Sequence, residues 1–484
     1  MSRRPNFIVI IADDHRQESI GANGCREVAT PHLDALARRG TNFTRAYCQG
    51  STHPAVCVPS RATLMTGRSI YEATLDPTAF DYTDGQGEVP SFTLPPGMQT
   101  FPERLRQAGY ATHAIGKWHN DRAAFARSFS SADRIFFGGM SDHDRVPLHD
   151  FDPTGAYPPA AKRFEEGLST DLFADSAVRF LSQARRDEPF CLYVAFTAPH
   201  DPRTPPPRHE VRPEAVNLPR NFMPIHPFDT GDALVRDEVL APIPRPPEDI
   251  RQQVADYYGM IQHLDEGIGA ILQAAESRGL LDDTVVIYTA DHGLAVGQHG
   301  LMGKQNLYEH SVHVPLIVAG PGVRAGATVP HLVWHADTRA TILDLAGLPV
   351  EGDSRGVSLA RHLAGDAPAQ RDHLCAAYRT SQRMIRTDRW KLIRYYPRSL
   401  FEMPTTPGHP IPTMGSAVDQ LFDLDNDPDE RVNLVWRDDL APVVADLAAR
   451  LSRWQHENGD PWSAIMDAAR YSGSRPQSRH PESA

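Results

Sequence analysis

Cysteine is scarce in this sequence, and the scarcity excludes several kinds of protein. Five cysteines occur in 484 residues, at positions 25, 48, 57, 191 and 375. Their number is odd and none forms a Cys-x-x-Cys pair, so neither a zinc site of that type nor a thiol redox motif is expected. Such sparse usage favours a reducing compartment.

Long apolar runs and an excess of positive charge are also lacking. No stretch approaches the roughly 20 apolar residues of a membrane helix, so we expect a soluble protein. The run Phe7 to Ala12 is too short for the core of a signal peptide and ends in Asp13-Asp14, which favours a first strand and a cytoplasmic location. The 49 Lys and Arg against 61 Asp and Glu give a net charge of -12, so a nucleic-acid partner is not expected.

Short apolar runs, each followed by a turn and a helical pattern, recur along the chain and predict an α/β fold with helices on both faces of a sheet. Unbroken apolar runs are typical of strands buried in a parallel sheet. They cover Phe7 to Ala12, Ala111 to Ile115, Phe190 to Phe196, Thr284 to Thr289 and Val314 to Ala319. The longest helical pattern covers Asp256 to Arg278, and Thr30 is placed to cap a helix that ends at Arg39.

Two regions depart from this alternation. From about Asp201 to Pro247 the chain is rich in proline and lacks periodicity, so we expect a long excursion over the surface. After Pro349 the pattern changes to short strands and one helix, which predicts a small α+β unit. The strands are expected at Met384 to Ile385, Trp390 to Tyr396 and Gln420 to Leu424, and the helix near Ala441 to His456.

The chain length favours one large domain with a smaller companion. We place the large domain at residues 1–370 and a small domain of antiparallel sheet and helix at 371–471. Residues 472–484 are polar, contain Pro, Ser and Arg, and are expected to form a disordered tail. The oligomeric state stays open, with a homo-oligomer as one outcome.

Polar side chains directly follow four of the predicted strands. Ligands of open α/β sheets bind beyond the carboxyl ends of the strands, so these positions are the first candidates for a site. The four strand ends carry Asp13-Asp14, Gly116-Lys117-Trp118-His119, Ala198-Pro199-His200 and Asp291-His292. Each alone is often a turn residue or a structural histidine. Their shared placement favours one common site.

Asp13, Asp14, Asp291 and His292 together offer three carboxylates and an imidazole. Negative charges gathered at one edge repel each other unless a cation lies among them, so we predict a metal site. Oxygen ligands favour Ca²⁺ or Mg²⁺, and the histidine makes Mn²⁺ an alternative. The competing interpretation is a set of separate caps and surface charges.

The string Cys57-Val58-Pro59-Ser60-Arg61 precedes an apolar stretch that ends at Gly67. Pro59 suits the first turn of a helix and Gly67 its end, so Cys57 is expected at a helix N-terminus. Backbone N–H groups favour negative charge there, and Arg61 lies over the same turn. A structural cysteine beside a chance Pro and Arg is the alternative.

These residues resemble the signatures of the formylglycine-dependent sulfatases. The string Cys57-x-Pro59-Ser60-Arg61 resembles the signature whose cysteine is oxidised to Cα-formylglycine, and Gly109 to His119 is similar to the second signature. The resemblance extends to Asp13-Asp14, Ala198-Pro199-His200, Asp291-His292-Gly293 and Gly303-Lys304, and so covers essentially the whole chain. It implies an alkaline phosphatase-like fold, with a large mixed, mostly parallel sheet and a smaller α+β C-terminal domain.

The resemblance also implies a role for each residue of the site. A divalent metal, Ca²⁺ first with Mn²⁺ or Mg²⁺ as alternatives, is expected on Asp13, Asp14, Asp291, His292 and the formylglycine made from Cys57. Arg61 is expected to stabilise the aldehyde hydrate, and Lys117 and Lys304 to hold the nonbridging oxygens of the ester. His119 is expected to assist the hydrate hydroxyl, and His200 to protonate the leaving oxygen.

The implied activity is hydrolysis of a sulfate monoester, with a small organic or carbohydrate sulfate as substrate and a formylglycine-generating enzyme as maturation partner. Two positions depart from the family pattern. Val58 is bulkier than the usual small residue, and His292 replaces the Asn of many sulfatases, which resembles iduronate-type sulfatases and also phosphonate monoester hydrolases. Hydrolysis of phosphonate monoesters or phosphodiesters by the same site is therefore the first alternative. A metal-binding protein without catalysis, with Cys57 an unmodified thiol, is the second.

Overall fold

Two sheets organise the chain. The computed structural model describes residues 4–78, 92–230, 236–366, 371–397 and 415–471. Within these ranges the strands are β1 (Asn6–Ala12), β2 (Thr41–Tyr47), β3 (Gly50–Ser51), β4 (Ala111–Lys117), β5 (Ser131–Phe136), β6 (Phe190–Ala195), β7 (Thr284–Ala290), β8 (His313–Ala319), β9 (Ala327–Val329), β10 (Val333–Trp334), β11 (Leu374–Tyr378), β12 (Gln382–Arg386), β13 (Trp390–Tyr395) and β14 (Asp419–Asp423). The predicted tail at 472–484 lies outside the described residues.

The large sheet has nine strands in the order β10-β2-β8-β7-β1-β6-β4-β5, with β9 paired to β2. Strands β7, β1, β6, β4 and β5 run parallel to their neighbours in that series, whereas β8 is antiparallel to both β7 and β2. The predicted mixed, mostly parallel sheet is confirmed. Placing the run Val314 to Ala319 among the parallel strands is wrong, because an apolar run buried on both faces has the same pattern in either direction.

The parallel register brings several strand ends to one edge. All seven residues of β1 are buried, and Ala12 pairs with Ala290 of β7 while Ile11 pairs with Ala195 of β6. Gly116 of β4 also pairs with Ala195, and a Cβ there would lie 2.0 Å from the Ala195 carbonyl oxygen. Both this close approach and the left-handed φ of 86° favour glycine at position 116.

Helices cover both faces of this sheet. The α-helices of the described ranges are α1 (Pro31–Arg39), α2 (Cys57–Thr66), α3 (Phe101–Gln107), α4 (Arg122–Ser128), α5 (Ser169–Gln183), α6 (Pro247–Ser277), α7 (Glu309–Val312), α8 (His335–Leu345), α9 (Ala360–Leu363), α10 (Ala441–Glu457) and α11 (Ser463–Tyr471), of which α10 and α11 belong with the second sheet. Helices α1 and α5 both contact α6, whereas α3 contacts α2, α4 and α8. None of the helices in the described ranges has the length and apolar character needed to span a bilayer.

The longest helix, α6, begins at Pro247, well before the predicted start at Asp256. The prediction that Thr30 caps α1 is wrong, because a carboxylate of α6 takes that role. Asp265 accepts the backbone N–H groups of His32 and Leu33 at 3.0 and 2.8 Å, and the Thr30 side chain makes no capping bond. The Thr30 hydroxyl instead accepts the N–H of Gly21 at 2.9 Å, so a partner distant in sequence replaces the local cap.

The proline-rich excursion is more than a surface loop. Val216 and Ala241 are buried and pack with apolar residues of α6, so the prediction that this region avoids the core is wrong in part. Arg245 is also buried, and its Nε donates to the Gly300 carbonyl at 3.0 Å. Glu238 accepts the backbone N–H groups of Met302 and Gly303 at 3.1 Å each. The excursion therefore supports the loop that leads to Lys304.

The second sheet has the order β14-β13-β12-β11-β3. Strands β11 to β14 are antiparallel to one another, and α10 packs on β12 and β13. Strands β12, β13 and β14 agree with the three predicted C-terminal strands, whereas β11 was not predicted. Strand β3 comes from the N-terminal part of the chain and pairs parallel with β11, with Gly50 opposite Ala377. The division at residue 370 stays a prediction, and β3 carries the second sheet close to α2.

Candidate active site

Seven of the ten predicted site residues end or directly follow the strands β7, β1, β6 and β4, which are adjacent in the large sheet. Backbone bonds continue beyond the strands, since Asp13 N–H donates to Ala198 O at 3.1 Å and Asp291 N–H to Ala12 O at 3.2 Å. Asp14 has a left-handed φ of 68°, which aspartate tolerates better than most residues, and its N–H donates to Asp291 Oδ1 at 3.1 Å. The two acidic strand ends are thus tied directly to each other.

Cys57 is the first residue of α2, and Gly67, at a left-handed φ of 70°, ends the helix as predicted. The thiol is buried, and its Sγ lies 3.4 Å from Asp13 Oδ1. One turn later Arg61 donates from Nε to Asp291 Oδ2 at 2.8 Å and from Nη1 to Lys117 O at 2.9 Å. Arg61 therefore joins the helix to two strand ends.

Two lysines contact both the acids and Cys57. Lys117 Nζ lies 2.5 Å from Asp13 Oδ2 and 3.8 Å from Cys57 Sγ. Lys304 Nζ lies 2.7 Å from each oxygen of Asp14 and 3.2 Å from Cys57 Sγ. Both ammonium groups are buried, so they act as counter-charges to the carboxylates in a region from which water is largely excluded.

The donor atoms fit a divalent cation. Asp13, Asp14, Cys57 and Asp291 each offer one ligand atom, and these atoms lie within 4.8 Å of one another; Asp13, Cys57 and His200 form a second such group. The carboxylate-rich set suits a hard cation. His292 is buried but belongs to neither group, and its Nδ1 lies 2.8 Å from the Gly293 carbonyl, which leaves Nε2 as the nitrogen able to act as a ligand.

Burial and charge shift the titration of these groups in opposite directions. Burial raises the pKa of Asp14, and the negative charges of Asp13 and Asp291 raise it further, whereas Lys304 lowers it by a smaller amount. Burial opposes ionisation of Asp13 too, but Lys117, His200 and Arg61 outweigh it and hold the pKa of Asp13 well below its usual range. Burial and Asp291 raise the pKa of the Cys57 thiol well above its usual value. The unmodified thiol is therefore protonated at neutral pH and a poor nucleophile.

The two candidate catalytic histidines are neutral in this environment. Burial and Lys304 lower the pKa of His200 to about 4. Its Nδ1 donates to the Asp201 carbonyl at 2.8 Å, so Nε2, 3.6 Å from Asp14 Oδ2, is the functional nitrogen. Burial and Lys117 lower the pKa of His119 well below its usual value. Its Nδ1 has no hydrogen-bond partner among the described residues.

Tyr47, His53 and residues 141–152 have different surroundings. The His53 ring contacts the edge of Phe92, whose ring centroid lies 5.4 Å from that of His119. Tyr47 donates to Glu309 at 2.7 Å and so belongs to a buried network. Within residues 141–152, the Nε2 atom of His143 lies 2.9 Å from the His200 carbonyl oxygen, so His143 supports the loop that carries His200.

Two residues of the site were not predicted to act. The Ser60 hydroxyl, buried on α2, donates to the Asp291 carbonyl and lies 3.1 Å from His335 Nδ1. His335 Nε2 lies 2.9 Å from the Ala290 carbonyl oxygen. His335 directly follows β10 and so is a polar side chain after an apolar strand, like the predicted residues, but a strand of two residues is too short to predict from its apolar pattern.

Comparison with known families gives two matches. The family described as Sulfatase matches residues 5–348, which is most of the chain. A family described as N-sulphoglucosamine sulphohydrolase, C-terminal, matches residues 297–407. The first match covers all ten predicted site residues.

Curated relatives agree with the family match. N-acetylglucosamine-6-O-sulfatase of Bacteroides thetaiotaomicron is 27% identical over 90% of this chain and 90% of its own length. Arylsulfatase K of Danio rerio is 26% identical over 97% of this chain and 91% of its own length. Choline-sulfatase of Rhizobium meliloti is 27% identical over 94% of this chain and 88% of its own length.

Solved structures show the same fold. A protein solved with its substrate D-glucosamine-2-N,6-O-disulfate has a TM-score of 0.70 at 24% identity, over 95% of this chain and 99% of that one. The phosphonate monoester hydrolase of Agrobacterium radiobacter has a TM-score of 0.71 at 23% identity, over 94% of this chain and 96% of that one. The fold of this chain is therefore shared by both of these proteins.

Proposed function

The chain belongs to the sulfatase family, and from this membership we propose that Cys57, oxidised to formylglycine, is the nucleophile with which it hydrolyses sulfate monoesters. Sulfate ester hydrolysis itself follows from the family and from the sulfatases among its relatives. The observation that carries the proposal is the position of Cys57, whose Sγ lies 3.2 Å from Lys304 Nζ and 3.4 Å from Asp13 Oδ1.

Conversion of Cys57 explains how a protonated, buried thiol becomes reactive. A maturation enzyme would oxidise the side chain to an aldehyde, whose hydrate carries two hydroxyls on one carbon. One hydroxyl attacks sulfur while the bond from sulfur to the alcohol oxygen breaks. The second then loses its proton, the carbon–oxygen bond to the sulfate breaks, and the aldehyde returns as sulfate leaves. Water only has to rehydrate the aldehyde, so it never attacks the hindered sulfate ester.

The surrounding cations would bind the ester and stabilise charge as the reaction proceeds. Lys117 and Lys304 would hold the nonbridging sulfate oxygens, because their ammonium groups already flank Cys57. Arg61, whose Nη2 is buried without a hydrogen bond among the described residues, would hold a hydrate oxygen. The unpartnered Nδ1 of His119 would accept the proton of a hydrate hydroxyl.

His200 would supply the proton for the leaving alcohol. Its ring is neutral here, so Nε2 must gain a proton when the ester binds. An arriving sulfate ester is an anion, and a nearby negative charge raises the pKa of a histidine. Substrate binding would therefore prepare the acid that the reaction needs.

A divalent metal would be held by Asp13, Asp14, Asp291, residue 57 and His292 through Nε2. When bound, the ion supplies a positive charge that favours the ionised hydroxyl of the nucleophile. The oxygen-rich donor set favours Ca²⁺, with Mn²⁺ and Mg²⁺ as alternatives. A cation among the carboxylates would take over the counter-charge that Lys117 and Lys304 now provide, which frees both lysines for the substrate.

A sulfated carbohydrate is the proposed substrate. N-acetylglucosamine-6-O-sulfatase, aligned over 90% of this chain, supports a sulfated amino sugar as the first compound to test. The phosphonate monoester hydrolase shares the fold at 23% identity, whereas the curated relatives named above are sulfatases, so the phosphonate alternative has less support.

Peptide mass analysis and parallel kinetics test the proposal. The peptide that contains Cys57 should be lighter than its thiol form by the difference between SH₂ and O. Turnover of N-acetylglucosamine 6-sulfate or an aryl sulfate should exceed that of an aryl phosphonate monoester. Cys57→Ala should abolish turnover, whereas Cys48→Ala, a matched change of another buried cysteine, should leave it nearly unchanged. Appreciable turnover by purified Cys57→Ala protein would overturn the mechanism.

A further inference from the structure

A cavity of about 290 Å³ lies between the large sheet and the second sheet. Its size is near the lower end of the range for small-molecule pockets, about 300 Å³. The wall combines the loop after β1, strand β2, the segment around α7, and residues of and after β12 and β14. Arginine and histidine side chains dominate this wall: Arg16, Arg45, Arg220, Arg386, His310 and His313. Neither Cys57 nor any proposed metal ligand lines it.

The carboxylates of the wall already have partners. Glu309 accepts from Lys391 at 3.0 Å and from the Tyr47 hydroxyl at 2.7 Å. Asp429 pairs with Arg220 at 3.1 Å. Glu18 is 58% exposed, so water reaches its oxygens freely. The carboxylates of the cavity wall therefore do not need a ligand as a partner.

Several donors of the wall are not satisfied. Both ring nitrogens of His310 are buried and have no hydrogen-bond partner in the described part of the chain. The same holds for Arg16 Nη1 and Arg386 Nε, whose nearest carboxylate oxygens, on Glu18 and Glu309, lie at 3.6 Å. Buried polar groups without partners are costly, so three donor side chains around one cavity call for an acceptor.

We propose that this cavity binds a small molecule through an oxyanion group, sulfate or phosphate, held by Arg16, His310 and Arg386. Guanidinium groups match the geometry of such oxygens, and a buried N–H of His310 adds a third donor. The volume exceeds what one tetrahedral ion fills, so the wall leaves room for a larger body that carries the anion. The site is separate from that of the proposed function and does not depend on it.

The cavity shares its wall with two loops of the active site. Arg16 lies two residues after Asp14, and Gly293, which follows His292, donates its N–H to Ser311 O at 2.8 Å. A Cβ on Gly293 would lie 2.3 Å from the His310 carbonyl oxygen and 3.3 Å from Arg16 Cγ. A ligand in the cavity would therefore bind residues that adjoin the segments carrying Asp14 and His292.

Crystals of the full chain soaked in selenate test the location, because selenium gives an anomalous signal. A peak between Arg16, His310 and Arg386 is expected, whether or not a second peak occurs beside Lys304. Selenate found only beside Lys304 would overturn the proposal.

Calorimetric titration tests the chemistry, in a Lys304→Ala background that weakens anion binding at the active site. Inorganic sulfate should bind, and His310→Phe or Arg386→Gln should weaken it at least tenfold. Arg389→Gln is the matched control, since Arg389 pairs with Asp423 outside the cavity, and it should not change the affinity. If Arg386→Gln fails to fold, Arg386→Lys replaces it. Equal affinity in all variants would overturn the proposal.

The source of the oxyanion is resolved by two further ligands. A monosaccharide sulfate that binds at least tenfold more tightly than inorganic sulfate identifies a larger ligand that carries the anion, and the reverse order identifies the free ion. Either order supports an oxyanion site. The unsulfated monosaccharide should not bind, and equal binding with and without the sulfate group would contradict the proposal.

Discussion

Replacement of His335 by alanine should lower turnover although this side chain touches no reacting group. Burial lowers the pKa of His335 to about 4, so the ring is neutral. Its Nε2 donates to Ala290 O at 2.9 Å, and its Nδ1 lies 3.1 Å from the oxygen of the Ser60 hydroxyl, which donates its proton to Asp291 O. Ser60 lies one turn after Cys57, and Ala290 precedes Asp291. The imidazole therefore sets how far the nucleophile lies from an acidic ligand.

The size of the effect can be worked out from these contacts. Loss of the Nε2 donor leaves the Ala290 carbonyl with the long bond from Thr289 Oγ1 at 3.4 Å in place of a short one, which costs about 1–3 kcal/mol, and loss of the Ser60 contact adds about 1 kcal/mol. We therefore expect a fall of about 2–4 kcal/mol in the free energy of unfolding. A displacement near 1 Å at the nucleophile lowers turnover about 100-fold, so kcat should fall by about that factor with little change in KM.

Three variants separate positioning from general loss of stability. His335→Gln keeps a donor near the Nε2 position and should retain most of kcat. His149→Ala, which removes a buried imidazole from the opposite end of the sheet near β5, should lose stability without a comparable fall in kcat. The assay is steady-state hydrolysis of a sulfate ester well below the melting temperature, with the formylglycine content of each variant measured by mass. If His335→Ala matches the wild type in kcat, the positioning role is refuted.

Lys304→Ala should lower kcat by about 100- to 1,000-fold, the usual cost of one lost charge-stabilising donor, and a fall of less than threefold in the same assay would contradict its role. Dialysis against a chelator should abolish turnover, and Ca²⁺, Mn²⁺ or Mg²⁺ added back should restore it to different degrees; full activity after verified metal removal would exclude the metal. Arg383→Ala leaves Asp460 buried without its bidentate partner, so urea denaturation should show a loss of about 3–5 kcal/mol, and a loss below about 1 kcal/mol would contradict this.

The edge at which the site forms could be predicted because each strand has a local signature. An unbroken apolar run followed by Asp, Lys or His marks both the strand and the residue that emerges from it, as at Ala12 to Asp14 and Ala290 to Asp291. Adjacent parallel strands then bring those residues together without further information. The start and end of α2 could also be predicted from the local sequence, because Pro59 and Gly67 mark them.

Contacts between distant segments could not be predicted in the same way. The apolar pattern indicates that β8 is buried, but it does not indicate the direction in which the strand runs. Asp265 caps a helix whose first residue is more than 200 positions away, and Thr30 offered a local solution that the fold does not use. His335 and Ser60 meet only because α8 packs against α2. Periodicity shows which face of an element is buried, whereas the partner depends on the whole topology.

The pairing of β3 with β11 has a consequence for biosynthesis under the proposed maturation. Gly50 and Ser51, just before Cys57, gain their partners only when residues 374–378 exist, more than 300 positions later. Until then the second sheet cannot close beside the cysteine, which is 2% exposed once folded. Folded, unmodified protein offered to the maturation enzyme should therefore keep its thiol. At about 5–20 residues per second, translation leaves roughly 15–60 s for the oxidation, so the rate of synthesis would set the fraction of active molecules.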